Sequence, residues 1–318
     1  MTTTEFKQTT SNLFMVRPAN FGYNPETAEN NSFQVNDQSL SVNKIKDLAK
    51  IEFDNFVKKL TSNGINVIIG HEPDEPIKTD SVFPNNWVSF HENGTIITYP
   101  MFAPTRRIER SEGFLTQIAE QFEVQKRIRF EQYEAENLFL EGTGSMIFDR
   151  ENRIVYACLS PRTNKQLLDE FCEWADYESA VFHAVDSNDE DIYHTNVMMA
   201  VGETFVVICL ESIKDKQDLI NLKALFAKTK KEIIDISMSQ VEAFAGNMLQ
   251  VRNKDNKTFL VMSEQAFDSL TQSQIGQIEN HTTILYSAIP TIEKYGGGSA
   301  RCMMAEVFLK EKDIEKIH

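Results

Sequence analysis

Apolar residues recur at Ile45, Leu48, Ile51, Phe56 and Leu60, the spacing of an amphipathic helix, and predict one over residues 43–60 with Gly64 at its C-cap. Ahead of it, LFMVRPANF from Leu13 to Phe21 reads as a strand leaving at Pro18, and after it VIIG reads as a buried strand. The segment WVSFHENGTIITYP places two apolar runs around Asn93-Gly94, which predicts a hairpin of 87–90 with 95–99, followed by a helix over 111–122. The theme then recurs. GSMIFDRENRIVYACLS reads as strand, polar turn and strand before a helix at 163–174. HTNVMMAVGETFVVICLES turns at Gly202 and precedes a helix at 216–228. GNMLQVRNKDNKTFLVMS repeats it before a helix at 264–277. The last apolar run, SARCMMAEVFL, is expected to be a strand and to pair with LFMVRP near the start.

The equivalent strand starts fall near Asn86, Gly144, Asn196, Asn247 and Cys302, at intervals of 58, 52, 51 and 55 residues. A period of roughly 50 to 60 is the size of one supersecondary unit. Five units suggest an α/β ring with pseudo-fivefold symmetry, closed by joining the two ends of the chain and leaving few exposed sheet edges. An ordinary open α/β sheet is the alternative. The ring is favoured because each unit is a hairpin plus a helix, not a single strand alternating with a helix. No Pro-, Ser- or Gly-rich linker divides the sequence, so residues 1–318 are expected to form one domain.

Composition narrows the class. The hydrophobic fraction of 41% and aromatic fraction of 10% are those of a globular protein. The net charge of −15 argues against binding a nucleic-acid backbone, which requires basic stripes. No run approaches the roughly 18 apolar residues of a membrane helix, and the N-terminal MTTTEFKQTTSNLF lacks an apolar signal core, so a cytoplasmic location is expected. Cys158, Cys172, Cys209 and Cys302 form no CxxC pair, and the six histidines form no HExxH-like cluster. Neither a metal nor a cofactor is expected.

The candidate chemistry begins at YGGGSARCMMAE. Three glycines allow close approach of backbone to a ligand, and Cys302 sits just after them beside Arg301, where positive charge favours a thiolate. A small core hydrophobe is the competing reading of such a cysteine. If the units form a ring, their strand starts converge. Asp80 in TDSVFPNNW, Glu141 in LEGTGS, His194 in YHTN, Asn247 in AGNM and Cys302 then make one constellation. A thiol, an imidazole and two carboxylates supply a nucleophile, a general acid/base and an electrostatic clamp.

These segments resemble the guanidine-modifying superfamily of arginine deiminases, dimethylarginine dimethylaminohydrolases, succinylarginine dihydrolases and glycine amidinotransferases. GGGSARCM is similar to the deiminase motif GGGGPRCM, and DSVFPNNW to the DSVF segment of the dimethylarginine enzymes. The resemblance, from about Arg17 to Leu309, implies a five-bladed ββαβ propeller, the pentein fold. It implies Cys302 as nucleophile, His194 as acid/base and Glu141 as the acidic partner of the histidine. Asp80 falls on the carboxylate that binds the substrate side chain. LSPRTNKQ resembles the segment whose arginine grips the substrate α-carboxylate, which implies Arg162. APTRRIE implicates Arg106 or Arg107, and Arg17 is counted with the substrate-binding residues.

Two departures bear on the substrate. Asn196 stands where many members carry an acid two residues after the histidine, and Asn85-Asn86 stand where the dimethylarginine enzymes carry an acidic pair. A guanidinium is a fork of donors best held by carboxylates, whereas an amide offers a donor and an acceptor. The amides therefore favour a ureido group, citrulline or a close relative, over arginine, as in the citrulline-utilising branch of the superfamily. The expected partner is a small amino-acid substrate, and a homo-oligomer is left open. The expected reaction is hydrolysis through a covalent S-linked intermediate that releases ammonia. An amidinotransferase using the same cysteine, and a non-catalytic pentein binding module, are the alternatives.

Overall fold

The computed structural model describes residues 6–31, 33–37 and 39–313. Among them lie five three-stranded sheets, in a mixed α/β arrangement. The first contains β1 (Asn12–Arg17) and, after a helix at Val42–Ser62, β2 (Asn66–His71), parallel to it. In the next, β3 (Val88–Phe90) runs antiparallel to β4 (Thr95–Thr98), and β5 (Lys126–Arg129) returns parallel to β4 after a helix at Glu112–Gln121. The pattern holds for β6 (Ile147–Asp149), β7 (Ile154–Cys158) and β8 (Glu178–Phe182) around a helix at Lys165–Ala175. It holds again for β9 (Met199–Val201), β10 (Phe205–Ile208) and β11 (Glu232–Asp235) around Lys216–Lys228. In the fifth sheet, β12 (Leu249–Arg252) pairs antiparallel with β13 (Thr258–Ser263), and β14 (Thr283–Ser287) lies parallel to β13. The last strand, β15 (Ala305–Glu306), pairs antiparallel with Leu13 and Phe14 and completes the first sheet from the far end of the sequence.

Apolar layers fill the spaces between neighbouring sheets. Side chains alternate along a strand, so Ile96 packs with Phe14, Val88 and Phe114 while its neighbour Ile97 packs with Phe148, Val155 and Phe171. In the same way Phe148 joins one layer and Ile147 the next. Strands such as FVVI at Phe205–Ile208 are buried along their whole length, as expected when both faces are covered.

The helix Val42–Ser62 shows how pattern becomes packing. Ser41 caps it by accepting from the Lys44 amide, and Gly64 follows it in the left-handed region at φ +80°. Ile45, Ala49, Phe53, Phe56 and Leu60 face the core, and burying each phenylalanine contributes on the order of 1.5–3 kcal/mol. The predicted inner position Ile51 is instead exposed, because Ala49 and Phe53 carry that face. The helix expected at 264–277 is two helices, Glu264–Ser269 and Gln272–Glu279. Thr271 leaves helical geometry at ψ 155° and forms a reciprocal capping box with Gln274, which starts the second helix afresh. The strand expected at SARCMMAEVFL is a 3₁₀ turn at Ala300–Met303 followed by the two residues of β15.

Candidate active site

That 3₁₀ turn is one of a set. One-turn helices precede one edge strand in each of four sheets: Pro84–Asn86 before β3, Gly142–Ser145 before β6, Thr195–Val197 before β9 and Ala300–Met303 before β15. Each ends in a tight backbone bond that turns the chain into its strand and sets the side chain at the turn toward its neighbours. Packing between the turns is too close for side chains at Gly142, Gly144 and Gly246. A Cβ on Gly144 would lie 2.5 Å from Asn86 Nδ2 and 2.8 Å from His194 Nδ1, and one on Gly246 would lie 2.2 Å from the Val197 carbonyl oxygen.

The turns assemble a buried cleft lined by Asp80, Asn86, Arg106, Arg162, His194 and Cys302, with Gly296, Gly297 and Gly298 along one wall. Its free volume is about 20 Å³, room for roughly one water. A larger cleft of about 600 Å³, lined by Phe33, Met238, Phe244 and Pro290, holds none of these groups.

His194 Nε2 lies 2.7 Å from Glu141 Oε2, and the other carboxylate oxygen accepts from the Phe102 amide at 2.8 Å. Burial acts to raise the Glu141 carboxyl, but the Arg162 charge, the bond to His194 and the Arg106 charge outweigh it and hold it at about 2. Burial pushes His194 below the ordinary histidine value, with Glu141 opposing, so the imidazole is neutral near pH 7. Cys302, 5% exposed, has its Sγ 3.3 Å from Asn196 Nδ2 and 3.3 Å from Asn247 Nδ2. Burial raises the carboxyl of Asp80, against the pull of Arg106. Its Oδ2 accepts from Asn24 Nδ2 at 2.6 Å, while Oδ1 has no hydrogen-bond partner among the described residues. Nor do Asn86 Nδ2, Asn196 Oδ1 and Gln34 Oε1.

Several residues singled out from the sequence sit otherwise than expected. Arg17 is not at the cleft. It forms a surface ion pair with Asp54 at 2.7 Å, because it ends β1 facing the helix Val42–Ser62. Arg107 does not line the cleft either. It donates to the Met101 and Phe102 carbonyls and lies over the Phe139 ring. Arg106 lines the cleft, but its guanidinium is spent on Glu109, on Asn86 Oδ1 at 2.9 Å and on the Phe83 carbonyl, so it braces the wall. Arg162 stacks over Tyr193 and donates to the Thr27 carbonyl at 2.8 Å and to Asn30 Oδ1. Both oxygens of Glu141 have partners within the protein, the Phe102 amide on one side and His194, with Arg162 at 3.6 Å, on the other. Asn85 is buried outside the cleft lining, with its side-chain amide unpaired among the described residues.

The segment carrying Asn24, Thr27 and Gln34 was not anticipated at the site. Asn24 caps the short helix Pro25–Ala28 and at the same time donates to Asp80. Its signal, a capping Asn followed by Pro at the first helical position, was present in the sequence.

Residues 17–309 match the family of eukaryotic N,N dimethylarginine dimethylhydrolases. The chain belongs to this family. No curated protein matches it. Among solved structures, the family member is similar to ArgZ, an arginine dihydrolase of the ornithine-ammonia cycle in cyanobacteria, at 15% identity and a TM-score of 0.72 over 96% of this chain. It spans 42% of that full-length protein but 97% of the isolated N-terminal domain of ArgZ bound to product, at 16% identity and a TM-score of 0.70. A dimethylarginine dimethylaminohydrolase variant, captured as its adduct with S-methyl-L-thiocitrulline, matches at 13% identity and a TM-score of 0.64, covering 93% of this chain and 98% of that one. These likenesses are of fold. Among the described residues no helix is long and apolar enough to cross a membrane.

Proposed function

We propose that this protein is a cysteine-dependent hydrolase of the ureido or guanidino group of an arginine-like amino acid, built as a single-domain, five-bladed ββαβ propeller. The observation that carries the reading is the buried Glu141–His194 pair, at 2.7 Å, in one cleft with the amide-bonded thiol of Cys302. Family membership and the fold of the arginine- and dimethylarginine-processing enzymes support it.

The reaction runs in two halves. The neutral imidazole of His194 takes the thiol proton, and the Cys302 sulfur bonds to the central carbon of the head group. The carbon–nitrogen bond to the terminal nitrogen breaks, His194 returns the proton, and ammonia leaves. Water, deprotonated by His194, then adds to the same carbon and the carbon–sulfur bond breaks. From a ureido group the product is a carbamate that falls to amine and carbon dioxide, and from a guanidino group it is the ureido compound.

Asp80 Oδ1 and Asn196 Oδ1 are free to accept from the head group, and Asn86 Nδ2 is free to donate. Only a ureido oxygen uses that donor, so citrulline is the favoured substrate over arginine. A cleft of about 20 Å³ does not admit an amino acid. Thr27, Asn30, Asn31 and Gln34 therefore move aside when the substrate enters, releasing the bonds that Arg162 makes to Thr27 and Asn30 and freeing the guanidinium for a carboxylate.

Release of ammonia from citrulline and arginine, and of dimethylamine from dimethylarginine, by the native enzyme and by Cys302→Ser, tests the proposal. Ammonia from citrulline that disappears in the variant is the expected result. Ammonia from arginine alone keeps the thiol chemistry and overturns the substrate preference. Turnover that survives Cys302→Ser overturns the covalent route.

A further inference from the structure

We infer that Asn247 is a catalytic residue, an obligatory amide donor that stabilises the anionic sulfur of Cys302. The inference rests on the reading of Cys302 as the nucleophile. Its strength lies in the orientation of the amide. Asn247 Oδ1 accepts from the Arg301 backbone N–H at 3.0 Å, and a backbone N–H can only donate, so the amide nitrogen is turned the other way. Of the two hydrogens on that nitrogen, one reaches the Asn196 carbonyl oxygen at 3.0 Å and the other Cys302 Sγ at 3.3 Å. Asn196 also points its amide at the sulfur, but its Oδ1 has no partner, so nothing on its far side fixes which end faces the thiol. Asn247 therefore presents a donor that cannot flip.

A carboxamide N–H gives a hydrogen bond and takes no proton. A thiol sulfur accepts it weakly and a thiolate strongly, so the contact favours the anion. Burial by itself works against a thiolate: it pushes Cys158 and Cys172 up to about 12 and Cys209 up to about 11. The chain just ahead of Asn247 holds it in place. Phe244 accepts from its backbone, and Gly246, with no side chain, lets it press against Val197.

The experiment is the pH dependence of Cys302 alkylation by iodoacetamide in the native enzyme, Asn247→Asp and Asn247→Ser, with Cys302→Ser as background. Charged and titratable groups near the sulfur are Arg301 on its own turn, Tyr193 and His194 before β9, Glu141 and Arg162 behind the imidazole, and Asp80 with Arg106 across the cleft. None of these is changed by the variants. Asn247→Asp keeps the acceptor for the Arg301 amide and puts an anion where the donor was. The expected result is a rise of at least one pH unit in its alkylation midpoint and a fall of about tenfold to a hundredfold in alkylation rate and kcat/KM at pH 7. Asn247→Ser, which retains a shorter donor, is expected to lie between. Midpoints unchanged in both folded variants, as judged by circular dichroism, overturn the inference even if turnover falls, since that pattern marks a role in packing alone. If Asn247→Asp does not fold, Asn247→Ser decides by the same midpoint. Alkylation needs no substrate, so a shifted midpoint in a protein that turns over none of the ureido or guanidino compounds would overturn the proposed function and leave the thiolate role standing.

Discussion

The two ends of the strands β3, β6, β9 and β12 treat polar atoms in opposite ways. Around their starts, together with the turn before β15 and the covering segment, lie the imidazole, the carboxylates and the thiol, and there Asp80 Oδ1, Asn86 Nδ2, Asn196 Oδ1 and Gln34 Oε1 are buried without hydrogen bonds among the described residues. At their other ends, where the hairpins turn, polar groups are spent on one another. Gln8 donates to the Phe148 and Val201 carbonyls and accepts from the Arg150 amide. Arg150 lies 3.9 Å from the Phe308 ring centre and 3.8 Å from Glu306, which also accepts from Arg301 at 2.9 Å. Lys231 and Asp149 pair at 3.2 Å in full burial. A buried polar atom left unpaired costs about 1–3 kcal/mol. Concentrating such atoms at one end means that stability is supplied at the hairpin turns and tolerance for a ligand is kept at the strand starts.

The sharpest test of that division is Glu141→Gln. It removes the charge behind His194 while keeping the shape, and is expected to lower kcat about a hundredfold to ten-thousandfold in protein that still folds. A variant equally impaired in folding would break the comparison. Lys231→Met should do the reverse. It leaves the Asp149 carboxylate buried without its cation, an expected loss of about 3–5 kcal/mol in urea unfolding with kcat unchanged.

Acid sharpens the contrast further. His91, at the hairpin end, is bonded to Ser89 and is pushed down to about 3 by burial, helped by Arg150 and Arg153. The folded protein keeps it neutral, while the unfolded chain binds a proton as pH falls below the ordinary value near 6.5. The stability His91 contributes is present above that value and is lost as pH falls toward 3, at a slope approaching about 1.4 kcal/mol per pH unit. Urea unfolding of His91→Asn between pH 7 and 5 should show a slope flatter by that amount; equal slopes would remove His91 from the account. The smallest effect is expected from Arg17→Ala. An exposed ion pair is worth about 0–1 kcal/mol, and ammonia release should not change. A large rise in KM would return Arg17 to the site.

How much of this was legible in the sequence follows from which signals are local. The hairpins were, because each carries two apolar runs and a turn, and the helix Lys216–Lys228 was, with both its ends. The closing of the first sheet by the last strand was legible from the pairing of two apolar runs at opposite ends. The third strands of the sheets were not. KRIR, ESAVF, EIID and TILYS are short edge strands, half exposed, with too few apolar positions to show a period. At the site, Asp80, Asn86, His194 and Cys302 line one cleft because each lies beside the start of a repeated unit, whereas Arg162, after β7, was signalled only by the resemblance of LSPRTNKQ. The commitments of the arginines were hidden, since a sequence does not tell whether a guanidinium meets a ligand, a carbonyl or a neighbouring carboxylate. The covering segment was hidden too, because it belongs to no repeat.

Leu13 pairs with Glu306, so the partners of the first sheet stand 293 residues apart. During synthesis β1 emerges long before β15 and waits with one edge bare while the residues between them are made. The turn bearing Cys302 arrives only three residues before β15. The Cys302 thiol and the strand that closes the first sheet are thus delivered together, and the strand pairing of longest range among the described residues forms only once the turn around the sulfur has been made.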